Sequence, residues 1–125
     1  MFAKAVLIAA GLMYLAFGVA FVIAPAKLGG WVHLGVAHPV ARTELRAFYG
    51  GLEIGLAVFL LLCVRRPGWV APGLLASALA FGCTAAARLV GMVVDRSAGT
   101  TVVAILLVEA AFAVASAVAL VRAQP

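Results

Sequence analysis

Four stretches of mostly apolar residues divide the chain, and each is long enough to cross a bilayer as a helix. The first and third, residues 5–26 and 67–87, contain no charged side chain, whereas the second and fourth contain three charges between them. A spanning helix needs about 20 mainly apolar residues. The pattern therefore predicts four transmembrane helices, at about residues 4–24, 44–64, 69–92 and 99–122.

The connection between the first two predicted helices, residues 25–43, is apolar but contains residues that break helices. Pro25 and Gly29 end the first helix, and the rest of the connection is too short to cross the membrane. Because it contains Trp31, we expect it to lie at the membrane interface. Thr43 is expected to be the N-cap of the second helix.

Composition agrees with this pattern. The residues A, V, I, L, M, F, W, Y and C make up 67% of the 125 residues, and 10% are charged, whereas a soluble domain is about 45–50% apolar. We therefore predict an all-α fold, a polytopic membrane protein with a single four-helix transmembrane domain. The net charge of +5 comes from basic residues that are scattered singly, so we expect no nucleic-acid interface.

The counts of Lys and Arg on the two sides of the membrane are nearly even, with Lys27, Arg42 and Arg96 on the side away from the termini, and a short turn decides the predicted orientation. Lys4, Arg65, Arg66 and Arg122 lie near the side of the membrane that holds both termini. Cytoplasmic loops carry an excess of Lys and Arg, and Arg65 and Arg66 share a short turn. We expect both termini to be cytoplasmic.

The two acids inside the predicted helices, Glu53 and Glu109, lie at similar depths. A rise of about 1.5 Å per residue places Glu53 and Glu109 about 13–15 Å from the side on which their helices begin, near the middle of the ~30 Å hydrocarbon core. Tyr14 comes to roughly the same depth, and Arg46 and Arg88 lie about 3–6 Å deep from that side. Glu53, Glu109 and Tyr14 are thus expected near one level, with the two arginines closer to the membrane surface.

The helical period also places polar residues on common faces. Arg46, Tyr49 and Glu53 are spaced i, i+3 and i+7 on the second helix, and Thr84 and Arg88 are spaced i and i+4 on the third. Ser77 extends the face of the third helix, and Ser116 extends the Glu109 face of the fourth. We expect these faces to point into a shared interior.

Energetics favour pairing among the buried charges. A charge at the bilayer centre costs about 2.5–3.5 kcal/mol on insertion scales, and Arg cannot lose its charge there. The sequence predicts that Arg88 pairs with Glu53 or with Glu109. The pairs have two interpretations, a purely structural lock between helices or the polar wall of a ligand pocket.

Small residues at helical spacing predict close helix packing. Gly11 and Gly18 share one face of the first helix, and Gly51 and Gly55 are separated by three residues in the second. Gly50 precedes this pair beside the Glu53 face. The partner helix belongs either to the same chain or to a second copy, so the sequence allows both a monomer and a homo-oligomer.

Residues 43–55 read TELRAFYGGLEIG. Their E-L-R-A-x-Y-G-G core resembles a bacterial family of small four-helix membrane proteins described only as a domain of unknown function. The resemblance implies a four-helix bundle in the bacterial inner membrane and supports Arg46, Tyr49, Gly50 and Gly51 as candidates. More loosely, the layout is similar to DoxX-like membrane proteins. Small multidrug exporters are similar in size, but their membrane glutamate lies on the first helix, which has no acid here.

The functional prediction is a buried polar pocket that binds, and in one version moves, a small amphiphile or ion. The alternative is an accessory or assembly subunit whose ion pairs only fix the helices. No metal-ligand spacing occurs, so we expect no cofactor and no metal site. A membrane enzyme whose Arg and Glu pocket polarises a lipid head group is the least favoured hypothesis, because no nucleophile and base are grouped. The expected partners are membrane lipid and the amphiphile. The candidate pocket residues are Tyr14, Arg46, Tyr49, Glu53, Thr84, Arg88 and Glu109.

Overall fold

The computed structural model describes residues 1–123, which are almost entirely helical and contain no strand. Helix α1 is followed by the short helix α2 and by a continuous helical segment built from α3, a π-helical turn and α4. A 3₁₀ turn at Pro67–Trp69 then leads into the last two helices. The α-helices are α1 Phe2–Ile23, α2 Pro25–Trp31, α3 Pro39–Leu45, α4 Leu52–Arg65, α5 Val70–Val94 and α6 Thr100–Ala123.

Four helical segments have the length and apolar composition of membrane spans, which confirms the predicted all-α fold class. Their mean hydropathies are 2.5, 2.1, 1.6 and 2.5 in chain order. Large apolar side chains such as Phe17, Val58 and Leu107 lie exposed on the outside of the bundle. In a bilayer this surface contacts acyl chains and has no cost of exposure to water. The four spans are Phe2–Ile23, Pro39–Arg65, Pro67–Val94 and Thr100–Ala123.

The second span begins earlier than the sequence predicted. Its N-cap is His38, whose Nδ1 accepts a hydrogen bond from the Val40 N–H at 3.2 Å, and Pro39 occupies the first helical position. Proline is well suited to that position because its missing N–H has no partner in the first turn. The prediction of Thr43 as N-cap is wrong: Thr43 lies inside α3, and its hydroxyl donates to the Pro39 carbonyl at 3.3 Å.

A π-helical turn at Arg46–Gly51 connects α3 to α4. Such a turn has i→i+5 hydrogen bonds and often marks a functional site. Because it is wider than an α-helical turn, residues before it are rotated relative to residues after it. The α-helical period therefore does not hold between α3 and α4.

The tightly packed core occupies the half of the bundle nearest the termini. Its buried residues come from the start of α1, the end of α4, the start of α5 and the end of α6. At this end Gly73 of α5 approaches Cys63 of α4 so closely that an added Cβ would lie 2.8 Å from the Cys63 Cβ. No member of this core cluster comes from α2 or from the start of α6. The core cluster contains Val6, Leu7, Ala10, Leu60, Cys63, Leu74, Phe81 and Ala119.

Candidate functional site

Arg88 and Glu109 form a bidentate ion pair that joins α5 to α6. The Arg88 Nε donates to Glu109 Oε2 at 2.8 Å, and the Arg88 Nη2 donates to Oε1 at 2.6 Å. The side chains are 26% and 10% exposed, respectively. This geometry confirms the prediction that Arg88 pairs with one of the two mid-membrane acids. The planar guanidinium matches the two carboxylate oxygens, so both charges are directed toward each other.

Glu53 of α4 has no such partner. Within residues 1–123, its Oε2 is the one buried side-chain oxygen or nitrogen without a hydrogen-bond partner. A buried polar atom normally has at least one hydrogen bond, and an exception calls for an explanation. Here the carboxyl group lines an internal space.

That space, which we call the polar cavity because an ion pair and Glu53 stand in its otherwise mostly apolar wall, has a volume of about 540 Å³. It lies between α1, the π-helical turn, α4, α5 and α6, and Val32 and Leu34 of the α2–α3 connection line it as well. The structure thus brings six of the seven candidate pocket residues to one cavity. They are Tyr14, Tyr49, Glu53, Thr84, Arg88 and Glu109.

A second space, the side groove, has a volume of about 500 Å³ and lies between the α3–α4 segment and α5. It shares Tyr14, Tyr49, Glu53 and Thr84 with the polar cavity, so Glu53 stands where the two spaces adjoin. Most of its other lining is apolar, and two of these side chains are exposed on the outside of the bundle. The groove is therefore open toward lipid. The other lining residues are Glu44, Leu45, Phe48, Leu52, Leu56 and Ala80.

Stacked aromatic rings line both ends of the polar cavity. Tyr14 of α1 stacks on Phe81 of α5 with ring centroids 4.4 Å apart, and Phe81 stacks in turn on Phe112 of α6 at 4.9 Å. Phe21 of α1 stacks on Tyr49 at 5.1 Å. These contacts hold the rings in place through packing across helices.

Below the ion pair, a buried hydrogen bond joins the same two helices. The hydroxyls of Ser77 and Ser116 are 2.9 Å apart, and both side chains are fully buried. The sequence placed Ser77 on the Arg88 face and Ser116 on the Glu109 face. The two predicted faces do meet each other between α5 and α6.

Arg46 lies outside the polar cavity, contrary to the sequence-based expectation. It is exposed, and its Nε donates to the Val22 carbonyl at 3.0 Å, next to the end of α1. The physical reason is the π-helical turn, which rotates Arg46 away from Glu53. A cation at this place also interacts favourably with the negative end of the α1 dipole.

The candidate glycines divide into two groups. A Cβ on Gly50 would lie 2.6 Å from Val22, one on Gly18 would lie 2.9 Å from the Gly50 carbonyl oxygen, and one on Gly11 would lie 3.0 Å from Leu61. These three permit close approach of α1 to the second span. Gly51 and Gly55 do not take part: nothing lies within 4 Å of a Cβ on Gly55, and Gly51 would meet only its own helix at 3.9 Å. Both face outward because they are rotated away from Gly50 around the helix.

Several residues of the site were missed at the sequence level. Phe81 lies one turn after Ser77 and two turns before Arg88, and Phe112 lies three residues after Glu109, so helical spacing would have included both. Val32 and Leu34 had no such signal, because their position depends on how the connection folds over the bundle.

No arrangement for a metal ion is found in the described part of the chain: residues 1–123 contain no group of three or more His, Cys, Asp or Glu that would hold one. The two cysteines, Cys63 and Cys83, are both free thiols. The chemistry of the site is therefore that of one ion pair, one unpartnered carboxyl group and several aromatic rings.

Comparison with known proteins yields a family but no described activity. Among curated proteins none matches the chain significantly, and no solved structure matches it either. A family model described as "Domain of unknown function (DUF4345)" matches residues 2–120. Since this match covers nearly the whole sequence, the chain belongs to that family.

Proposed function

We propose that this protein is an integral membrane protein of the bacterial inner membrane that binds a small amphiphile inside its helix bundle. The polar end of the amphiphile occupies the polar cavity, and its apolar part lies in the side groove. The observation that carries the proposal is the position of Glu53, whose unpartnered carboxyl group stands where the cavity that contains the Arg88–Glu109 pair adjoins a groove that is open to lipid. Ligand sites are mostly apolar clefts with a few polar groups that orient the ligand.

A second candidate function is supported by the Arg88–Glu109 pair. Because both oxygens of Glu109 are satisfied, the pair by itself is sufficient to fix α5 against α6. An accessory subunit would need nothing more. It would not need an unpartnered Glu53 beside a cavity of about 540 Å³, and for this reason we favour binding.

Thr84 is the best position at which to test binding. It lines both spaces, it is exposed, and its hydroxyl bonds only to the Ala80 carbonyl of its own helix. We expect Thr84→Phe to fill the junction of the cavity and the groove, and so to abolish binding without unfolding the bundle. Native mass spectrometry from neutral detergent, with single-chain amphiphiles of cationic, anionic and uncharged head groups added, measures what remains bound.

The matched control is Ala86→Phe, on the same helix but away from both spaces. It should bind as the wild type does. If no amphiphile of the series binds to the wild type, or if Thr84→Phe binds as well as Ala86→Phe, the proposed function is wrong. The same spectra report the number of chains per particle. Faster exchange of a bound amphiphile between leaflets in proteoliposomes would extend binding to movement.

We further propose that both termini face the cytoplasm. Arg66 lies over the Trp69 ring at 4.8 Å, and Arg122 lies over the Phe2 ring at 5.7 Å, so cationic and aromatic groups are combined at this end of the bundle. Basic residues are favoured on the cytoplasmic side, and aromatic residues at the interface. A C-terminal reporter that folds only in the cytoplasm should be active, whereas a reporter active only in the periplasm should be silent. The reverse result would invert the orientation.

A further inference from the structure

We infer that the amphiphile bound at this site carries a positive charge, as a protonated amine or a quaternary ammonium group does. This inference rests on the proposed function and names the chemical class of its ligand. Three features of the polar cavity support it: the charged residues in its walls, the two hydrogen bonds that engage Arg88 with Glu109, and its aromatic rings.

The charged residues that line the two spaces, within residues 1–123, are mainly acids. Arg88 is the one cation, and the acids are Glu44, Glu53 and Glu109. Arg46 lies two residues after Glu44 in the sequence, but it donates a hydrogen bond to the Val22 carbonyl and lines neither space. Once Arg88 and Glu109 neutralise each other, the carboxyl groups of Glu53 and Glu44 have no opposing cation among the residues that line the two spaces. A cationic head group would supply the counter-charge for an ionised Glu53, in a medium where an unpaired charge is costly.

An anionic head group would find no suitable donor. The Nε and Nη2 of Arg88 both donate to Glu109, so a carboxylate or phosphate would have to compete with an existing two-pronged bond. It would also face the carboxyl group of Glu53 in the same cavity. An uncharged hydroxyl group would avoid this repulsion, but it would supply no counter-charge for an ionised Glu53.

Aromatic rings complete a site suited to a cation. The rings of Tyr14, Phe21, Tyr49 and Phe81 all line the polar cavity together with Glu53. The electron-rich face of an aromatic ring attracts a cation, and cages of such rings bind quaternary ammonium groups. Phe81 is stacked on Tyr14 at 4.4 Å and on Phe112 at 4.9 Å, and Phe21 is stacked on Tyr49 at 5.1 Å, so the ring faces left for a cation are those of Tyr14 and Tyr49 that are turned away from their stacking partners.

The shape of the site accommodates a single alkyl chain behind this head group. The side groove begins at Glu53 and Tyr49 and is continued by Leu52, Leu56 and Phe48. Since Leu52 and Phe48 are exposed on the outside of the bundle, the chain can extend into surrounding lipid. An ammonium group at Glu53 and an alkyl chain in the groove define one orientation of the ligand.

The test compares three probes with the same chain: dodecyltrimethylammonium, dodecanoate and dodecanol. The charge of the first does not depend on pH, so its binding reports only on the protein. In native mass spectrometry of the full-length chain, we expect the wild type to bind dodecyltrimethylammonium at least about tenfold more tightly than either other probe. Glu53→Gln should remove about tenfold of the affinity for the cation and leave dodecanol binding unchanged.

Asp95→Asn removes an exposed acid that lines neither space, so it is the matched control and should change cation affinity by less than about threefold. Dodecanol binding and thermal stability show whether Glu53→Gln is folded. If dodecanoate or dodecanol binds more tightly than the cation, or if Glu53→Gln binds the cation as well as the wild type does, the inference is wrong and amphiphile binding stands. If no probe binds to the wild type, the proposed function itself fails.

Discussion

Arg88→Ala is expected to lower the free energy of unfolding by about 3–5 kcal/mol, because it leaves Glu109 buried without its counter-charge. Glu109 is 10% exposed, and Arg88 supplies two hydrogen bonds to it, at 2.8 and 2.6 Å. Removal of one partner from such a pair costs more than the pair contributes, since the remaining charge keeps its desolvation penalty. The change is measured by titration of the protein in mixed micelles with a denaturing anionic detergent.

Two further variants separate this effect from the loss of an arginine as such. Arg122→Ala removes an exposed arginine that lies over the Phe2 ring at 5.7 Å, and should cost less than about 1 kcal/mol. The double variant Arg88→Met/Glu109→Leu replaces both charges with apolar groups and should recover most of the stability lost in Arg88→Ala. If Arg88→Ala is no more destabilising than Arg122→Ala, the ion pair does not hold α5 to α6.

The sequence was sufficient to predict the parts of this fold that depend on local pattern. The length of the mainly apolar stretches predicts the four spans, because lipid requires each backbone polar group to bond within its own helix. Regular α-helical period also predicts which faces of α5 and α6 meet. Ser77, Arg88, Glu109 and Ser116 follow that period without interruption, and they form two pairs across the interface.

The prediction was wrong where the helix departs from this period. In a regular α-helix Arg46 and Glu53 would share one face, but the π-helical turn between them directs Arg46 to the end of α1. No residue type in RAFYGG by itself specifies such a turn. The same turn places Gly50, rather than Gly51 or Gly55, against α1. Close packing with Gly18 and Val22 is a tertiary interaction, and a single sequence does not reveal it.

The contact between Gly18 and the π-helical turn leads to the second large expected effect. Gly18→Val should destabilise the bundle by about 3 kcal/mol or more. A Cβ at this position would lie 2.9 Å from the Gly50 carbonyl oxygen and 3.0 Å from the Ile54 nitrogen. Since both are backbone atoms, no change of side-chain rotamer relieves the overlap, and α1 must move away from the second span. Denaturing-detergent titration measures the loss.

Gly55→Val is the control, because it introduces the same β-branched side chain into a membrane helix at a position with nothing within 4 Å. Its intrinsic helix propensity changes by the same amount as in Gly18→Val, so the difference between the two variants isolates helix contact. We expect Gly55→Val to change the free energy of unfolding by less than about 1 kcal/mol. A large loss in Gly55→Val, together with a change in the number of chains per particle, would mean that the outward face carrying Gly51 and Gly55 packs against a second copy of the chain. In that case the spacing of Gly51 and Gly55 would be explained by contact between chains, whereas Gly18 and Gly50 serve contact within one chain.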